Sequence, residues 1–92
     1  MVERENMITF YVKCVFISSK HAIFEVEFYD KNKLFEIIAK ANIVVDDSLY
    51  YDCHLNTIDE YYDEVDNKIK EVGEICVERA EFIFQKNDII LK

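Results

Sequence analysis

The chain has 92 residues, enough for one domain with its own core, and carries 19 acidic against 11 basic side chains for a formal charge of −8. Hydrophobic residues make up 51% and aromatics 14%, which excludes a disordered acidic tail. The charge argues against direct contact with nucleic acid or an anionic membrane, since both would repel it.

No apolar run approaches the roughly 18 residues that span a bilayer, and MVEREN lacks the basic flank and apolar core of a signal peptide. Cys14, Cys53 and Cys76 are odd in number and far apart, which fits reduced thiols in a cytoplasm better than a disulfide framework. With no Pro and one Gly, neither a linker nor a phosphate-cradling loop is indicated.

Residues 1–6 are polar and are expected to be loose. From Ile8 the chain alternates: Ile8, Phe10, Val12, Cys14 and Phe16 against Thr9, Tyr11 and Lys13, the pattern of a half-buried strand. Ser18 to His21 reads as a turn, after which Ala22, Phe24, Val26 and Phe28 alternate with Glu25 and Glu27. Pairing the two runs about Ser19 sets Val12 against Val26 and Lys13 against Glu25, so the core faces coincide and opposite charges meet on the wet face. Asp30 can cap a helix over Lys31 to Asn42, with Leu34, Phe35, Ile37, Ile38 and Ala41 at helical spacing; a third strand entered through Asp30–Lys33 is the rival. Ile43 to Val45 begins a β-branched strand that continues unevenly to Tyr51.

Thr57 with Glu60 forms a capping box, and Ile58, Tyr61, Tyr62, Val65, Ile69 and Val72 fall on one face, which predicts a helix stopped by Gly73. Tyr62 sits at the centre of that stripe and Tyr61 at its edge. Glu74 to Gln85 then reads as a strand, and Lys86–Asn87 as a turn into Ile89 to Leu91. The expected fold class is α+β: a single compact domain, 1–92, with a mostly antiparallel four- to five-stranded sheet and two helices on one face, in the order ββαβαββ. In that hairpin Ile83 and Ile90 share a face that could bind a second copy as a homodimer.

The charge is unevenly placed. Asp46, Asp47, Asp52, Asp59, Glu60, Asp63, Glu64 and Asp66 all lie between Val44 and Asp66, where there is no Lys or Arg; with those eight set aside, acids and bases balance at 11 each. Four of the six tyrosines share the stretch. On the predicted helix, Asp59 with Asp63 and Glu60 with Glu64 are like charges one turn apart, each pair costing an isolated helix about 0.2–0.5 kcal/mol. Negative charge in the first turn suits the helix dipole, and Glu64 to Lys68 and Asp66 to Lys70 bring some relief. A solvated face is the plain reading. The functional reading is a docking surface for a basic protein, made of Asp46, Asp47, Tyr51, Asp52, Asp59, Glu60, Asp63, Glu64 and Asp66. Arg takes a carboxylate in the same forked geometry as a phosphate, and tyrosines among the acids add amphipathic contact area.

A small acidic domain of this kind is similar in general character to the nucleic-acid mimics encoded by phages and mobile elements, anti-CRISPR inhibitors among them, a likeness of composition. It implies a cytoplasmic inhibitor or regulator that covers the basic groove of a nucleic-acid-binding protein. Catalysis is not expected. Asp52-Cys53-His54 is the one place where acid, thiol and imidazole adjoin, but neighbours on an extended strand point to opposite faces. Neither a C-x-x-C nor an H-x-x-H pair suggests a metal, and no cofactor motif is present.

Overall fold

The computed structural model describes residues 7–33, 36–57 and 59–91. The looseness expected of residues 1–6, and the helical roles given to Leu34, Phe35 and Ile58, lie outside them. Strands β1 (Ile8–Ile17), β2 (His21–Asp30), β3 (Glu36–Asp46) and β4 (Tyr51–Thr57) form an antiparallel sheet in the order β1-β2-β3-β4, and one helix, α1 (Tyr62–Leu91), packs across one face. Two 3₁₀ turns, Lys31–Lys33 and Asp59–Tyr61, join β2 to β3 and β4 to α1. The class is α+β; among the described residues the sheet has four strands, where four to five were expected in the order ββαβαββ, and there is one helix where two were expected.

The first hairpin has the expected register: Val12 pairs with Val26 and Lys13 with Glu25. Its alternation continues across the sheet. Ile8, Val12, Phe24, Val26, Phe28, Ala41, Ile43 and Val45 are buried on the helix side. The other face carries cross-strand neighbours of opposite charge, Lys13 with Glu25 and Glu27 with Lys40. Each fully buried Phe, Ile or Val contributes about 1.5–3 kcal/mol by leaving water.

Between the helix and the rival third strand read for Lys31–Asn42, the structure has the strand: from Glu36 the chain pairs with β2. Asp30 does cap locally, its Oδ1 accepting the Asn32 N–H at 2.8 Å, but the turn lasts three residues and the chain reverses into β3. An irregularity in the β2–β3 ladder sets Phe28 opposite Ala39 and Tyr29 opposite Ile37. The extra residue leaves Ile38 and Ala39 both buried, a spacing that imitates a helical face in the sequence. The strand expected from Ile43 through Tyr51 is two strands. The Asp46 carboxylate accepts the N–H groups of Ser48 (2.9 Å) and Tyr50 (3.0 Å), and Leu49 takes a positive φ of 66°, so the chain turns sharply there.

The largest correction concerns the C-terminal third. Thr57 is a strand residue. It ends β4, paired with Ala39, and its hydroxyl donates to the Ile38 carbonyl at 3.4 Å. Gly73 does not stop a helix, and the hairpin expected over residues 74–91 is helix. Val65, Val72, Cys76 and Ala80 are all buried against the sheet, at spacings of seven and four that run straight through Gly73. Gly73 is used for close approach: a Cβ there would stand 2.6 Å from the Tyr51 ring and hydroxyl. The helix therefore accepts about 1 kcal/mol of poorer propensity than Ala would give, in return for seating Tyr51. At 30 residues α1 is about 45 Å long against about 33 Å for a ten-residue strand.

The helix start is fixed by a buried polar contact. The Tyr61 hydroxyl donates to Oδ2 of Asp30 at 2.6 Å, both residues being buried. Lys33 lies with its Nζ 4.9 Å from the ring centroid. Tyr61, expected at the edge of the stripe, is 2% exposed, and Tyr62, expected at its buried centre, is 51% exposed. Tyr61 turns toward the end of β2 inside the sheet, and Tyr62 turns away from the core.

Candidate functional site

The nine residues expected to form one acidic footprint do not lie together. Asp46 and Asp47 sit at the β3–β4 turn, Asp46 with its carboxylate engaged in holding that turn. Asp52 is opposite Val44 on the sheet face away from the helix, whereas Tyr51, opposite Val45, faces the helix against Gly73. Glu60, Asp63 and Asp66 are exposed and Glu64 is half-buried, all around the start of α1. Asp59 lies in the preceding 3₁₀ turn, and its side chain is outside the description. β4 runs from Tyr51 to Thr57 between the turn acids and the start of α1; Asp66 comes back to the neighbourhood of Cys53, while Asp52 beside it points to the other face of the sheet. Ile83 is half-buried on α1, not on a sheet face. Ile90 shares the helix with it, and its side chain is outside the description.

A different set of acids does come together. Glu71, Glu74, Glu78 and Glu81 are all exposed on α1. At 100° per residue they fall with Asp63 inside an arc of about 80°, and from Asp63 to Glu81 they cover about 27 Å along the axis. That arc is centred opposite the buried Val65, Val72, Cys76 and Ala80. Among the described residues no Lys or Arg falls within it. Arg79 turns to the β1 flank, where its Nη1 donates to the Val12 carbonyl at 3.3 Å; Lys68 and Lys86 share that flank by helical position, and Lys70 lies on the other.

Sequence reasoning missed this stripe because it ended the helix at Gly73. Read as a strand, residues 74–85 spread their acids over two faces. The missed signal was the buried spacing from Val65 to Ala80, which continues the helical period without a break.

The stripe has an electrostatic cost. Glu71 with Glu74, Glu74 with Glu78, and Glu78 with Glu81 are consecutive like-charge neighbours three or four residues apart. Each such pair opposes an isolated helix by about 0.2–0.5 kcal/mol. The helix dipole does not offset them, since they lie beyond the first turn. At the start of the helix the balance is different. The hydrogen bond with Tyr61 raises the Lys33 pKa most, against the opposing effect of burial, and the neighbouring Glu60 adds to the rise.

The other chemistry-bearing groups are arranged as follows. Cys53 pairs with Ile43 and faces the helix, while His54 pairs with Asn42 and faces the opposite side. Burial raises the Cys53 thiol pKa, with nearby Asp66 adding to it, and pushes that of Cys76 up to about 11. Both shifts favour the thiol over the nucleophilic thiolate. Among the described residues there is no helix long and apolar enough to cross a membrane. No protein-family model, curated protein or solved structure matches the chain.

Proposed function

We propose that the chain is a binding protein whose α1 stripe docks into the basic groove of a nucleic-acid-binding protein, as an inhibitor or regulator that stands in for the nucleic-acid backbone. The observation that carries this reading is the alignment of Asp63, Glu71, Glu74, Glu78 and Glu81 along one outward arc with no cation inside it among the described residues. Solubility alone would be served as well by acids alternating with lysines, which would stabilise the helix instead of opposing it. Carboxylates three and four residues apart rise by about 4.5–6 Å, the scale of successive phosphates on a strand. A straight helix held on a sheet presents them without an ordering cost at binding. Arg side chains that fork onto phosphates fork onto carboxylates in the same way. Asp52, on the sheet face away from the helix, and Asp47, in the β3–β4 turn, stand outside this contact.

The reading is tested by two charge-matched variants. One carries Glu71→Gln, Glu74→Gln, Glu78→Gln and Glu81→Gln; the other carries Glu25→Gln, Glu27→Gln, Asp47→Asn and Asp52→Asn. Both change the net charge by the same four units. Against a basic nucleic-acid-binding protein that the chain retains after nuclease treatment, the stripe variant is expected to lose about 100-fold in affinity, from four contacts of about 0.5–1 kcal/mol each. The other variant is expected to stay within about threefold, because charges more than a Debye length from the contact are screened. Equal losses in both would mean that total charge, and not the stripe, governs binding.

A further inference from the structure

The sheet has two edges, β1 and β4, and they are built differently. β1 carries devices that keep an edge from pairing with another chain. Its ladder with β2 shifts register between Cys14 and Phe16, Lys13 stands in it, and Arg79 reaches over from α1 to take the Val12 carbonyl at 3.3 Å. β4 is regular. Its register with β3 runs without a shift from Ala39–Thr57 to Val45–Tyr51, and its sequence, YDCHLNT, holds no Lys, Arg, Pro or Gly. A regular edge of seven residues offers about 23 Å of backbone for an added strand.

Burial and charge specify the strand that fits. Two rows cross the helix side of the sheet, Phe24–Ile43–Cys53 and Val26–Ala41–Leu55. Each row is buried on β2 and β3 and half-buried on β4, so an added strand with apolar residues on that side would complete both. The surrounding charge is negative. Asp47 stands in the turn that leads into β4, Asp52 is exposed on its far face, and Asp66 lies near Cys53. From Val44 to Asp66 there is no Lys or Arg to balance them. A second copy pairing through β4 would bring the same acids and no cation to meet them, which disfavours self-association here. Basic residues on the far face of an added strand would instead lie across from Asp52, the pairing of opposite charges that stabilises neighbouring strands.

We propose that β4 is a docking edge for an extended segment of another protein, with basic and apolar residues in alternation, which joins the sheet as a fifth strand. The probes are peptides of alternating Lys and Val, as long as β4, titrated into the full chain by fluorescence anisotropy. Successive N–H groups of a strand point to opposite edges, so only one alternate set can face β4. Two N-methylated peptides separate the sets, one blocked at odd positions and the other at even positions. One is expected to lose at least about tenfold in affinity and the other to bind like the parent. Asp52→Lys is expected to weaken the parent peptide by about tenfold. Equal affinities for the two methylated peptides overturn the proposal, as does an Asp52→Lys chain that binds like wild type. The variant with Gln at 71, 74, 78 and 81 is expected to bind the peptide within about threefold of wild type. A large loss there would place the peptide on α1 and overturn the β4 assignment, while leaving the stripe reading intact.

Discussion

Replacing Tyr61 by Ala is expected to cost about 3–5 kcal/mol, the range for truncating a buried aromatic. Against a total stability of about 5–15 kcal/mol for a domain of this size, that leaves the chain close to unfolding. Tyr61 has two jobs, and two variants separate them. Its ring fills the space where the start of α1 meets the end of β2, and its hydroxyl gives Asp30 a hydrogen bond of 2.6 Å. Tyr61→Phe keeps the ring and removes that donor from a buried carboxylate. A bond to a charged group contributes about 1.5–3 kcal/mol, so Tyr61→Phe should lower the melting temperature by about 10 °C. Thermal unfolding followed by circular dichroism measures both. A Tyr61→Phe chain within about 0.5 kcal/mol of wild type would show that the Asp30 contact does not fix the helix.

The second large effect is expected at Phe24. It is fully buried, pairs with Cys14 on β1 and Ile43 on β3, and lies beneath the second half of α1. Phe24→Ala should cost about 3–5 kcal/mol, because the close-packed row around it cannot collapse into the space. Phe82 lines a hollow with Phe24 from the helix side but is mostly exposed. Phe82→Ala should therefore change stability by no more than about 0.5 kcal/mol. Urea midpoints compare the two. Similar losses at both positions would mean that α1 sits on the sheet in another rotation, which would also turn the acidic stripe away from solvent.

The two strands of the first hairpin were legible because alternation, turn and cross-strand charge agreed on one register. β3 was ambiguous for a physical reason. Its irregularity buries the adjacent pair Ile38 and Ala39, and a bulged strand then shows the spacing of a helix. The Asp30 cap was read correctly, but a cap satisfies a tight turn as well as a helix start. Tyr62 was placed at the centre of the buried stripe because the entry to α1 is a 3₁₀ turn, which advances three residues per turn and shifts the phase of a helix extrapolated from Ile58. Gly73 misled most. A lone glycine late in a helical pattern is a common stop signal, and nothing local shows that Tyr51, 22 residues earlier, needs the space its missing Cβ leaves. That one reading hid Glu74, Glu78 and Glu81 from the candidate site. It also moved Ile83 from a helix to a sheet face.

The excess of acids between Val44 and Asp66 was legible as composition, and the fold divides it between the β3–β4 turn, the far face of β4 and the start of α1. The β3–β4 turn and the helix start lie at opposite ends of β4. The aligned acids lie further along the chain, where interspersed bases keep the local charge low. Arg79 and Lys68 leave the stripe by pointing to a flank, a separation that only the helical period makes.

The most direct test of the account is a competition titration on a basic nucleic-acid-binding protein that the chain retains. If the α1 stripe occupies the groove of the nucleic-acid backbone, the chain's apparent dissociation constant will rise in proportion to added nucleic acid, and its affinity will fall steeply with salt. A ternary complex of chain, protein and nucleic acid, with the chain's affinity unchanged as nucleic acid is added, would contradict it.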